Sequence, residues 1–440
     1  MVEWGWKVVL SGAVAVGMLA TSAPAGAAAR VERVVSPGGI EAYLVSEPSI
    51  PFLSMSIHFA GGSALDPSGK EGLAYMVSGL LDEGAGALDS RAFRTELEDL
   101  AIRLSFDAQR DSFTGELKTL SEHRRRAFEL LRQALIEPRF DPEPVERIRH
   151  QIEASLRRSS EDPDYLASLT WFETAFAGQP YGRPVRGTLE SVAGIDTADL
   201  RAFVSSRLAK DNLTVGVAGD VTAEELGELL DLAFGDLPAT STPGTLATIA
   251  PRGGETIFER RDVPQSQVVF GEAGLARDDP DYYAAYVVNH ILGGGGFTSL
   301  LTEEVREKRG LAYSVYSYLY PLDHAPIWLG GLGTSNRSVE EALRLVRQEI
   351  ERVARGEISQ ERLDDAKTYL TGSFPLRLTS NDQIAQTLVG MQVDDLGIDY
   401  LDRRNAYIEA VTLEDARRVA QRLYHPDDLL MVVVGGTRGA

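Results

Sequence analysis

The chain carries one pattern twice. Lys210-Asp211-Asn212-Leu213-Thr214-Val215-Gly216-Val217-Ala218-Gly219-Asp220 corresponds to His425-Pro426-Asp427-Asp428-Leu429-Leu430-Met431-Val432-Val433-Val434-Gly435, an offset of about 215 positions. Each copy reads as a polar turn feeding a buried strand. The segments just ahead correspond as well: Ile195-Asp196-Thr197-Ala198-Asp199-Leu200-Arg201 and Ala410-Val411-Thr412-Leu413-Glu414-Asp415-Ala416 each place a Thr or Asp cap before an amphipathic helix. A duplication of this length restricts the fold to two related units, each closing with helix, turn and strand. The 440 residues agree, since single cores stop growing at roughly 250 to 300.

Between the copies, residues 237–254 are rich in Pro, Gly, Ser and Thr and read as a linker, mobile rather than packed. The expected units are therefore 28–236 and 255–440. In the first, Gly39-Ile40-Glu41-Ala42-Tyr43-Leu44-Val45 and Phe52-Leu53-Ser54-Met55-Ser56-Ile57-His58-Phe59 alternate like paired strands, and residues 72–81 are apolar enough for a buried helix. The second repeats this order with a strand at 266–271 and a helix over 282–292 that ends at Gly293. Amphipathic helices at 121–135, 339–354 and 360–370 complete an α+β pattern.

Residues 1–27 read as a signal peptide: Lys7, an apolar run over 8–20 and Ala25-Gly26-Ala27 as the cut. Thirteen apolar residues fall short of the roughly 20 that span a bilayer. The expected address is periplasmic or secreted, with retention by an uncut signal as the alternative. There is no cysteine, so neither disulfides nor a thiolate nucleophile enter the chemistry. A formal charge of −21 argues against nucleic acid, which demands a basic face.

Three further stretches carry chemistry: Gly61-Gly62-Ser63-Ala64 with Gly72-Leu73-Ala74-Tyr75, then Pro180-Tyr181-Gly182-Arg183-Pro184, and the run from Gly293 to Tyr313. Together they resemble the insulinase and pitrilysin family of zinc metallopeptidases over essentially the whole chain beyond residue 27. The resemblance implies two homologous domains, each an antiparallel-rich sheet packed with helices, facing each other as half of a clamshell. Active members hold His-x-x-Glu-His after Gly-Leu-Ala, two imidazoles for zinc and a carboxylate to activate water. Here those places hold Tyr75, Ser78 and Gly79, which offer neither ligand nor base. The family's third ligand falls near Glu153, which alone cannot bind zinc. His150 and Glu153 lie three apart and read as a solvated helix face rather than a metal pair, and His58, His123, His290, His324 and His425 show no ligand spacing.

The second unit keeps an Arg followed seven positions later by a Tyr, Arg306 and Tyr313, at a helix-to-strand junction. A guanidinium and a phenol are good donors to a peptide carbonyl or to the oxyanion formed on attack. Spacing alone favours Arg306 pairing with Glu303 or Glu304 and Tyr313 packing in a sheet, and the resemblance reverses that preference. Gly293-Gly294-Gly295-Gly296-Phe297 is no nucleotide loop, because it follows a helix and lacks Gly-Lys-Ser/Thr; by resemblance it is a flexible loop contacting peptide. Tyr181 reads as a turn and packing residue. No Gly-x-Ser-x-Gly elbow is present.

The resemblance thus implies the non-zinc-binding subunit of a heterodimeric peptidase. This chain would bind no cofactor, zinc would reside in a homologous partner bearing the full motif, and the substrate would be a peptide. The alternative is a catalytically inert scaffold or binding protein of the same fold.

Overall fold

The computed structural model describes residues 30–242 and 244–436. The signal segment expected over 1–27 lies outside the described residues. Among those described, no helix is long and apolar enough to cross a membrane.

Eleven strands among the described residues form two sheets. β1 (Glu32–Val35), β2 (Glu41–Ser46), β3 (Phe52–Ala60), β4 (Arg103–Ala108), β5 (Ser112–Leu120) and β6 (Leu213–Gly219) take the order β1-β2-β6-β3-β5-β4. β7 (Thr256–Arg260), β8 (Gln265–Ala273), β9 (Ala312–Tyr320), β10 (Ile327–Ser335) and β11 (Leu430–Gly435) take the order β7-β11-β8-β10-β9. Apart from β1, the strand orders of the two sheets correspond element for element. In each, the last strand is parallel to the first of the five and antiparallel to the second. The α+β reading is visible here, and the two sheets share one strand order.

β2 and β3 do not pair with each other. β6 enters between them, because its apolar residues, buried on both faces, can satisfy their backbone groups only with a strand on either side. The closing elements follow the sequence closely: Asp196 accepts the backbone N–H of Asp199 to open helix Thr197–Arg207, and Thr412 does the same with Asp415 for Leu413–Leu423.

The two units exchange helices. Pro163–Ala175, from the first half, packs beneath β8 and β11 of the second sheet. There Trp171, Phe172, Phe176 and Tyr181 join Ile327, Leu329, Leu430 and Val432 in one buried cluster, and Trp171 Nε1 donates to the Leu430 carbonyl at 3.2 Å. Asn381–Val393, from the second half, covers β3 and β6 of the first sheet. Its ties are more polar: Lys118 Nζ to Asp382 Oδ2 at 2.9 Å and Gln392 Nε2 to the Val215 carbonyl at 2.8 Å.

The linker is packed, contrary to its composition. Lys210 N donates to the Pro238 carbonyl, Thr242 N to Ser206, Ile249 N to His324 and Arg252 N to Ala175, at 2.7–2.9 Å. Leu246 and Ile249 rest against the shared cluster. Pro and Gly leave this stretch without repeating structure, but backbone groups of both halves hold it as a strap.

Candidate functional site

In the first half the helix expected over 72–81 is the short Leu73–Ser78. Gly72 leads into it at φ +91°, and a Cβ there would stand 2.7 Å from the Arg186 carbonyl oxygen, so glycine is required on two counts. The buried Asp66 carboxylate accepts from Gly72 N at 3.1 Å and Ala74 N at 3.2 Å, supplying the cap that the adjacent sequence lacks. Arg207 Nη1 lies 3.7 Å from Asp66 Oδ1. Burial nevertheless outweighs the guanidinium and the backbone donors and pushes Asp66 up to about 7.

Each of the three positions facing the family's zinc is engaged inside the molecule. The Arg186 guanidinium lies over the Tyr75 ring at 5.7 Å, and Ser78 Oγ donates to the Tyr75 carbonyl at 2.8 Å. Gly79 backs onto helix Pro142–Ser159, where a Cβ would meet Ile148 Cγ2 at 3.4 Å. On that helix His150 is exposed, and Glu153 pairs with Arg157 at 3.1 Å. These residues do not fit a zinc ion, and among the described residues no cluster of three potential ligands forms here.

The second half differs. Helix Tyr282–Asn289 does not stop at Gly293 but widens into a π-type turn, His290–Gly294. Gly293 and Gly294 therefore belong to a packed helical turn, not to a flexible loop. A Cβ on Gly293 would stand 2.7 Å from Ser317 N, so the missing side chain is what lets β9 approach. Asn289 and Ser317 lock the junction with two reciprocal hydrogen bonds, at 3.1 and 2.8 Å. Only Gly295 and Gly296 leave the helix, and Phe297 follows, 69% exposed.

A second widened turn, Thr302–Glu307, carries Arg306. The pairing with Glu303 or Glu304 that spacing allowed does not form. Lys308 takes both carboxylates, at 2.7 and 2.6 Å, Arg309 also takes Glu304 and Arg362 also takes Glu303, whose carboxyl is held down to about 2 by these partners. The Arg306 guanidinium instead lies over the Phe297 ring at 4.7 Å, with Nε 3.5 Å from Glu307. Phe297 is the partner that sequence reading passed over, although an aromatic directly after a glycine run was its signal.

Tyr313 does not pack in the sheet. Pairing of β9 with β10 steps from Ser314 opposite Gly333 to Ala312 opposite Thr334, so Tyr313 is the extra residue of a β-bulge. The bulge throws its side chain outward, 79% exposed. Along the same edge strand Tyr316 stacks on Tyr318, whose ring meets Tyr320 at a tilt.

Tyr181 is buried, as its turn suggested, and its hydroxyl donates to Asp111 and accepts from His324 N, tying the halves together. Among the described residues, no hydrogen bond, ion pair or ring contact joins Tyr75, Ser78 or Gly79 to Arg306 or Tyr313.

Comparison with known proteins identifies the family. Residues 42–189 match the family described as Insulinase (Peptidase family M16), and residues 194–370 match the Peptidase M16 inactive domain. The chain is 30% identical to the non-peptidase homolog YmxG of Helicobacter pylori over 342 residues, 77% of this chain and 78% of that one. It is 23% identical over 416 residues to the mitochondrial-processing peptidase subunit beta of Blastocladiella emersonii, 91% and 87% of the two chains. A crystal structure of a peptidase M16 inactive domain from Pseudomonas fluorescens superposes with a TM-score of 0.87 at 28% identity, covering 93% of this chain and 98% of that one. The chain therefore belongs to the insulinase family of peptidases, family M16, in a form without the His-x-x-Glu-His sequence.

Proposed function

We propose that this chain is the non-zinc-binding subunit of a two-subunit insulinase-family peptidase, paired with a homologous chain that carries the zinc motif and acting on peptides outside the cytoplasm. The observation that carries this reading is the asymmetry between the halves. The first has closed its ligand positions with internal contacts, while the second holds Arg306 and Tyr313 outward in positions where the fold makes little use of them. The names of two relatives lend support: one is a non-peptidase, the other a subunit.

In this reading Tyr75, Ser78 and Gly79 perform no chemistry, and zinc comes with the partner. Arg306, steadied on Phe297 beside the Gly293, Gly294, Gly295 and Gly296 turn, donates to a carbonyl of the bound peptide. Tyr313, re-aimed by its bulge, adds a phenol donor. Both bonds strengthen as negative charge develops on the attacked carbonyl oxygen, which is how fixed donors accelerate hydrolysis.

The test is peptide cleavage by this chain alone, by a zinc-motif homologue alone, and by their mixture with and without Arg306→Ala combined with Tyr313→Phe. Activity is expected only in the mixture and should fall about a hundredfold or more in the double variant. A homologue equally active without this chain would leave an inert scaffold of the same fold. Cleavage by this chain alone would overturn the reading of the first half as closed.

A further inference from the structure

We infer that Glu272, His425 and Asp428, all in the second half, form a binding site for a divalent transition-metal cation, zinc foremost. Spacing along the sequence gave His425 no ligand companions, since Glu272 precedes it by 153 residues. The sheet brings them together. Glu272 ends β8 but for one residue, and β11 pairs beside it. The turn that feeds β11 begins at His425, whose backbone N–H donates to both Glu272 oxygens at 2.9 and 3.1 Å. Asp428 N closes that turn onto the His425 carbonyl at 2.8 Å.

The donor atoms fit a cation. His425 Nδ1 stands 3.3 Å from Glu272 Oε2. Bonds of about 2.0–2.2 Å to imidazole nitrogen and carboxylate oxygen, set tetrahedrally, place neighbouring ligand atoms about 3.3–3.5 Å apart. One ligand atom from each of the three residues lies within 4.8 Å of the other two. His425 and Asp428 are exposed, so Asp428 can swing in and solvent can fill the fourth position. The ligand set of one nitrogen and two oxygens suits zinc better than calcium or magnesium, which prefer oxygen alone.

Two further observations point the same way. Among the described residues, neither carboxylate has a Lys or Arg ion-pair partner; the nearby Arg347 donates to the Pro426 carbonyl at 2.6 Å instead. In addition, two donors are buried beside Glu272 without a hydrogen-bond partner: Trp328 Nε1 and the Tyr424 hydroxyl. Trp328 lies directly across from Glu272 in the β8–β10 register, and the Tyr424 ring sits edge-on to Trp328 at 5.0 Å. Donors placed behind a carboxylate in this way orient it as a ligand.

The test is equilibrium titration of the full chain, free of any added histidine tag, with Zn²⁺ against a chromophoric chelator, and with Co²⁺ followed by its visible absorption. One equivalent should bind, with a tetrahedral Co²⁺ spectrum. His425→Ala and Asp428→Asn should each weaken Zn²⁺ binding about a hundredfold or more, whereas His150→Ala should not change it. Zinc should raise the thermal midpoint of the parent and of His150→Ala but not of the two ligand variants. Their exposed side chains make no bond the fold needs, so metal-free midpoints should match. Absence of stoichiometric binding, or binding undiminished in either ligand variant, overturns the site.

Discussion

The two halves share five strands in one order, yet the regions around their candidate site residues treat carboxylates in opposite ways. Around helix Leu73–Ser78 the first half draws carboxylates inward: Asp66 caps the helix from a fully buried position, and burial pushes it to about 7 and Asp82 to about 6. Around helix Leu413–Leu423 and turn Thr302–Glu307 of the second half, carboxylates meet basic side chains near the surface. Asp281, held by Arg418 and Arg422, and Glu303, held by Lys308 and Arg362, both fall to about 2. Phe297, Arg306 and Tyr313 then face solvent on turns that widen or bulge. The sheets and caps that hold the fold do not draw on Phe297, Arg306 or Tyr313, which leaves those residues free to differ between the halves.

The contrast can be broken hardest at the seam that holds the halves together. Trp171→Ala should cost about 3–5 kcal/mol in denaturant unfolding, since it empties the centre of the shared cluster and strands the Leu430 carbonyl. A loss under about 1 kcal/mol would mean the exchanged helix is not what joins them. Asp66→Ala should follow at about 3 kcal/mol, removing a helix cap and leaving the buried Arg207 without its acid. A loss no greater than that of an ordinary surface substitution would remove Asp66 as the anchor of the closed half.

Next in size is a pH effect with contributions of opposite sign. Asp66 and Asp82 are raised in the folded state, so their stabilisation is complete below the unfolded value near 4 and is lost as pH rises through about 6 and 7. Asp281 and Glu303 are lowered, so theirs is present above about 4 and is lost toward pH 2. Unfolding free energy should therefore decline from about pH 4 to 7, and Asp66→Asn should flatten that slope while leaving the acid limb in place. A slope unchanged in Asp66→Asn would reject the assignment. The smallest effect is expected at the displayed site: Arg306→Ala and Tyr313→Phe should each shift stability by less than about 0.5 kcal/mol, and a larger loss would show that the fold leans on them.

Much of the second site was legible as residue types but not as geometry. The Arg-to-Tyr spacing was on the page in the sequence; that Glu303 and Glu304 would be claimed by Lys308, Arg309 and Arg362, leaving Arg306 to Phe297, was not, because Arg362 arrives from a distant helix. The glycine run was read as a loop since glycine disfavours helix, but the approach of β9 needs those glycines within a helical turn. Likewise, composition marked 237–254 as mobile, while the backbone partners that strap it down come from both halves.

By itself the sequence determined the Asp196 and Thr412 caps, the apolar closing strands and the absence of an inverted zinc motif. These are local facts, fixed by residue type and by periodicity within one element. Only the tertiary structure decided that β6 separates β2 from β3, that Pro163–Ala175 and Asn381–Val393 each serve the other half's sheet, that a bulge turns Tyr313 outward, and that Glu272 meets His425. An apolar helix face states that it must be covered but not by which of two near-identical sheets, and that choice rests on packing between residues hundreds of positions apart.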